Sequence, residues 1–146
     1  MKVQNASQDA PASNILLIHH NRPGLAARKC VLEEIGYCVT AVSNPHDGLE
    51  QFAKSKFDLV ITDFRMPHMN GAELIRELRE LRRSTPVILI SGVVDALWLN
   101  EENTGADVVI AKSNVEVNHM IRAVNRLLRK KPPASQAGKK TKARSV

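Results

Sequence analysis

The chain lacks several things, and each absence narrows what it can do. No apolar run approaches the roughly 18 residues that a membrane-spanning helix needs. Residues 1–13 are polar with a single lysine and have no apolar block of the signal-peptide kind. A cytoplasmic protein without membrane association is the expectation. Only two cysteines occur, Cys30 and Cys38. They have no CxxC spacing and no secretory context, so reduced, partly buried thiols are expected in place of a disulfide or a metal pair. Nothing resembles a cofactor-binding glycine-rich loop or a nucleophile with its base, which argues against a free-standing enzyme acting on a small molecule. No helix-turn-helix or other output module is there to read a nucleic-acid sequence.

Negative charge is missing from one segment. The 146 residues carry a formal charge of +6, yet residues 14–128 hold 13 Lys/Arg against 14 Asp/Glu, whereas 129–146 hold seven Lys/Arg and no acid. That C-terminal segment, polar and containing Pro and Gly, cannot bury enough apolar surface to fold. It reads either as a solvated extension or as a weak, salt-sensitive arm for nucleic acid or an acidic partner. The absence of aromatic rings to stack on bases favours the first. The chain thus divides into an N-terminal disordered extension (1–13), one domain of ordinary size (14–131) and a basic disordered tail (132–146).

Inside the domain, short apolar runs alternate with helical spacing. Residues 15–18 form the first run. Over 22–35, Leu25, Ala26, Lys29, Leu32 and Ile35 recur at helical spacing, with Pro23 in the first turn and Gly36 at the stop. Residues 38–42, 57–62, 86–91 and 106–111 predict further strands. Residues 45–54, 72–82, 95–102 and 114–129 predict helices, the third of them weak. Five strand–helix pairs with short connections imply an α/β fold, a parallel sheet with helices on both faces.

The third run is the most informative, because it ends on Asp63 and passes at once into Met66-Pro67-His68-Met69-Asn70-Gly71. A short apolar run bounded by turn signals reads as a strand buried on both faces. Asp63 then sits at the C-terminal sheet edge, where open parallel sheets collect their ligands and chemistry.

Four features occur together and in order: the Asp63-x-x-Met66-Pro67-x-Met69-Asn70-Gly71 block, Pro86 and Ser91 bounding the fourth strand, Gly105-Ala106-Asp107 before the fifth, and Lys112 at its end. With this set, residues 14–128 resemble the receiver domain of bacterial two-component response regulators. The resemblance implies a flavodoxin-like, doubly wound five-stranded sheet of order 2-1-3-4-5. It also implies that Asp63 accepts a phosphoryl group from a histidine kinase or phosphotransfer protein, as in a stand-alone response regulator of a phosphorelay. By the same resemblance Lys112 pairs with one phosphoryl oxygen, Ser91 donates to another, and the backbone carbonyl of Arg65 helps hold Mg2+. Such a site must offset the repulsion between a carboxylate and an anionic donor and hold the transferred group in line.

The chain departs from the family at three points. Receivers carry an acidic pair after the first strand, and His19-His20 stands there. Magnesium is a hard cation that prefers carboxylate oxygen, for which neutral imidazole is a poor substitute. Val109 occupies the switch-aromatic position, and Ser113 follows Lys112 where the family has a cis proline, so a trans peptide is expected there. These departures support an alternative, a degenerate receiver that binds partners without phosphorylation, with an Asp63–Lys112 ion pair holding one conformation. His19, His20 and Asp63 also suggest a zinc or iron set, against which stands the fact that adjacent strand residues point to opposite sides. The single tryptophan, Trp98, lies in the weak helix between Leu97 and Leu99 and reads equally as core packing or as a partner contact. In the family, the face of the fourth helix, fifth strand and fifth helix meets partners or a second copy, which makes a homodimer a further expectation.

Overall fold

The computed structural model describes residues 12–129. Its strands are β1 (Asn14–Ile18), β2 (Cys38–Val42), β3 (Leu59–Asp63), β4 (Val87–Ser91) and β5 (Val108–Ala111). They form one parallel sheet in the order β2-β1-β3-β4-β5, as the resemblance implies. The helices are α1 (Arg22–Glu34), α2 (Pro45–Lys54), α3 (Gly71–Leu81), the short α4 (Val94–Leu97) and α5 (Glu101–Thr104), and α6 (Glu116–Arg129). The extension 1–13, apart from its last two residues, and the tail 132–146 lie outside the described residues.

Every residue of β3 and β4 is buried because successive side chains supply two different cores. Ile15, Leu17, Leu59, Ile61, Ile88 and Ile90 pack with Leu32 of α1 and with Met120 and Val124 of α6. Leu16, Ile18, Val60, Val87 and Leu89 pack with Phe52 of α2 and with Leu74, Ile75 and Leu78 of α3. At roughly 1.5–3 kcal/mol for each fully buried Ile or Leu, these layers hold the central strands rigidly. The same parity continues past the strand ends. His19 follows Ile15 and Leu17, and Asp63 follows Leu59 and Ile61, so both belong to the α1/α6 side.

Three local expectations are corrected. First, α1 is turned slightly from its predicted phase: Arg28 and Leu32 are its buried residues, while Ile35 is 44% exposed. Second, the predicted helix over 95–102 is two separate turns. Trp98 closes α4 in the left-handed region at φ 54°, and Asn100 starts α5 by exchanging side-chain-to-backbone hydrogen bonds with Asn103. Asparagine gains more at a cap than in a helix interior, and the segment has no apolar face to hold one continuous helix. Third, Cys30 and Cys38 are both exposed. The Lys112–Ser113 peptide is trans, and there is no cis bond among the described residues. No helix of the described residues is long and apolar enough to cross a membrane.

Candidate functional site

Asp63 ends β3 with 2% of its surface exposed, and the turn behind it is built so that α3 can start close by. Asn70 caps α3 reciprocally with Glu73, and the Gly71 N–H donates to the Phe64 carbonyl at 2.7 Å. A Cβ on Gly71 would stand 2.5 Å from the Asp63 backbone oxygen, which explains why glycine follows the cap.

Three cationic or potentially cationic side chains converge on the Asp63 carboxylate from three elements. Arg28 of α1 donates from Nη1 to Oδ1 at 2.8 Å. Lys112, just after β5, donates from Nζ to Oδ2 at 3.2 Å. His19 Nδ1 lies 2.8 Å from Oδ2, but this buried nitrogen makes no aligned hydrogen bond, so the contact is one of proximity and charge. The imidazole is seated against α1, where a Cβ on Gly24 would come within 2.6 Å of Nε2. Arg28 also donates from Nη2 to Glu116 Oε2 at 3.0 Å, tying the first turn of α6 to the cluster. Two carboxylates therefore face two permanent cations, and the local charge balances without a bound ion.

Burial pushes the Asp63 carboxyl upward, but His19 and Arg28 outweigh that effect and hold it at about 2 against an ordinary 3.8. The group is an ionised, hydrogen-bonded carboxylate at any physiological pH. Between α1 and the start of α6 opens a cavity of about 450 Å³ walled by His19, His20, Gly24, Arg28, Lys112 and Glu116; His19, Arg28 and Lys112 among them contact the Asp63 carboxylate. The cluster can present negative oxygen to an electrophile and positive charge to an oxyanion.

The other expected positions are dispersed. His20 is exposed, with its ring 6.0 Å from that of His19, and no metal-holding group of three His, Cys, Asp or Glu occurs among the described residues. The zinc or iron set is thus not assembled: His19 is buried against Asp63 while His20 stays exposed. Ser91 is buried beside Asp63 in the sheet, one position past the Asp63–Ile90 pair, and its hydroxyl oxygen accepts the Val93 N–H at 3.0 Å. Arg65 is exposed and lines a second hollow with His20, Phe64 and Asn70. Val109 is half-buried against the α2/α3-side core. Trp98 is 82% exposed, which removes the core-packing alternative.

Arg28 and Glu116 escaped the sequence reading. Arg28 had a signal: it lies three residues after Leu25 and four before Leu32, so a charge sits on the inward stripe of a helix. Glu116 had none.

Residues 15–125 match the family described as response regulator receiver domain. The aerobic respiration control sensor protein ArcB of Escherichia coli K12 is 32% identical over 106 residues, covering 70% of this chain and 14% of that protein. Response regulator ArlR of Staphylococcus haemolyticus is 27% identical over 121 residues, 82% of this chain and 54% of the relative. The chain thus spans about half the length of these relatives or much less. Among solved structures, a response regulator receiver domain from Clostridium thermocellum superposes with a TM-score of 0.73 at 28% identity, covering 82% of this chain and 96% of that one. Response regulator TrrA of Thermotoga maritima, solved with Mg2+ and BeF, gives 0.70 at 26% identity, with 79% and 98% covered.

Proposed function

Because the chain belongs to the response regulator receiver domain family, we propose that it works as a phosphorelay receiver in the cytoplasm, with Asp63 as the group that accepts phosphoryl from a histidine kinase or phosphotransfer protein. The observation that carries this reading is the Asp63 carboxylate itself, ionised at the sheet edge and bonded to Lys112 and Arg28. A carboxylate oxygen attacks phosphorus, a P–O bond forms and the donor's P–N bond breaks. Its electron pair returns to the imidazole, which leaves neutral when its other ring nitrogen carries a proton. As phosphoryl arrives, Lys112 and Arg28 face its oxygens and offset the charge. Ser91 is the neighbouring hydroxyl on β4 that supplies a further donor.

The residues at this edge do not fit magnesium. Asp63 is the one carboxylate ending a strand here, both its oxygens are engaged, and Glu116 is committed to Arg28. His19 and His20 offer no hard oxygen. Phosphoryl chemistry at Asp63 is therefore derived from the protein's own cations.

A second reading is favoured by the same clamp: a receiver that keeps one conformation through its Asp63–Lys112 and Asp63–Arg28 pairs and binds partners without phosphorylation. Its contact surface would be the exposed Trp98 with Leu97 beside it, next to the groove of β5 and α6, through which a second copy could also dock.

Incubation with a small phosphodonor such as phosphoramidate, and with candidate kinases, distinguishes the two. The acceptor reading expects a mass gain of one phosphoryl group that is labile to hydroxylamine and absent in Asp63→Asn. If no adduct forms with any donor while partner binding survives Asp63→Asn, the interaction-module reading takes its place.

A further inference from the structure

The environment of Arg28 extends past the acceptor reading, on which the following rests only for the identity of the edge. Its side chain is 6% exposed, its two terminal nitrogens hold two different carboxylates, and it reaches Asp63 from a helix position whose neighbours Leu25 and Leu32 face the core. A guanidinium is taken out of water only where its charge is fully met, because an unmatched buried ion costs several kcal/mol. Glu116 and Asp63 meet it here at 3.0 and 2.8 Å. What the arrangement does to Asp63 is specific. Oδ1 receives Arg28, and Oδ2 receives Lys112 with His19 at 2.8 Å. A divalent ion would need one of those oxygens, would meet two fixed positive charges within a few ångströms, and would find no free carboxylate to complete its shell.

We infer that Arg28 is the resident cation of this site: its guanidinium occupies the Asp63 oxygen and supplies the positive charge that a divalent metal would otherwise bring, so the site excludes Mg2+ and handles an anionic phosphoryl group without metal. Glu116 is the positioning residue. It holds the second arm of the guanidinium, fixing the first arm on Oδ1. Arginine suits this task because its planar fork bonds two acceptors at once and does not lose its proton.

The test uses the full chain and Mn2+ as a paramagnetic probe in place of Mg2+, read from amide resonances of residues 62–66. The wild type should show no selective broadening there. The variant His19→Asp, His20→Asp, Arg28→Met should bind Mn2+ and release it to excess Mg2+. The variant His19→Asp, His20→Asp alone should bind roughly ten- to a hundredfold more weakly than the triple variant, the scale on which groups touching a metal's ligands alter its affinity. Selective broadening in the wild type that Mg2+ reverses overturns the inference. So does equal affinity of the double and triple variants, since Arg28 would then exclude nothing. Fluorine NMR of a beryllofluoride adduct in chelator is the second measurement: an adduct that forms without metal supports the resident cation, and one that forms only on adding Mg2+ overturns it. If no adduct forms in either condition, the acceptor reading fails while the Mn2+ result still decides the role of Arg28.

Discussion

Around Asp63 each charge is tied to another, and Asp63 and Arg28 are taken out of water; around Trp98, apolar surface is left in water. The first region draws on the central strand β3, the end of β5 and the long helices α1 and α6, and it carries two carboxylates bridged by one buried guanidinium. The second consists of two four-residue helices beside the edge strand, with Trp98 82% and Leu97 46% exposed. α4 has no buried residue at all. Trp98 also keeps a left-handed backbone at φ 54°, which costs a non-glycine residue about 1 kcal/mol. One region spends its side chains on holding a single geometry. The other retains a left-handed backbone and an exposed ring that contributes nothing to the core.

The contrast breaks most sharply at Arg28. Arg28→Met leaves Asp63 and Glu116 without their shared cation and is expected to lower stability by about 3–5 kcal/mol, measured by urea denaturation. Adding Asp63→Leu should return part of that loss, because it removes the stranded charge together with its partner. A single variant as stable as wild type would show that the cluster is not a buried network.

Acid is the next lever. The folded-state pKa of Asp63 is about 2, below its ordinary 3.8, so its contribution to stability is present above about pH 4 and is lost as pH falls toward 2. About 2 kcal/mol should disappear across that window in denaturation curves taken at stepped pH. In Asp63→Asn this component of the pH dependence should be gone.

A smaller effect is expected at Gly24, where a methyl would meet His19 Nε2. Gly24→Ala should cost about 1–2 kcal/mol despite alanine's better helix propensity, because the imidazole must move off its seat. The imidazole resonances of His19 should shift while those of His119, exposed on α6, stay in place. The least sensitive position is Trp98. Trp98→Ala should change stability by no more than about 0.5 kcal/mol, and Trp98→Gly should raise it by up to about 1 kcal/mol by relieving the left-handed backbone. The same substitutions should weaken partner binding; a large stability loss from Trp98→Ala would instead mean that the ring supports the fold.

Much of the architecture was legible locally. Alternating short apolar runs and helical spacing marked five strands and the four long helices, and the Asp63 block with Ser91 and Lys112 located the sheet edge. The segment 95–102 was misread because its composition lacks an inward stripe, leaving cap chemistry at Asn100 to decide where helices begin. The metal set is not assembled because His20 stays exposed while His19 is buried against Asp63, a difference in seating that two consecutive histidines do not reveal. Arg28 was passed over because a one-residue error in helix phase turns an inward charge into an outward one.

Element order, strand parity and the location of a carboxylate at the sheet edge belong to the sequence, because they follow from periods of 2 and 3.6 and from turn residues acting on their neighbours. The partners of that carboxylate belong to the tertiary structure. Arg28 stands 35 positions from Asp63, and Glu116 stands 88 from Arg28. Their meeting depends on how deeply α1 and α6 seat on the sheet and on the rotation of each about its axis. Whether a buried charge is met by another is settled by a few ångströms of packing, which no local pattern encodes.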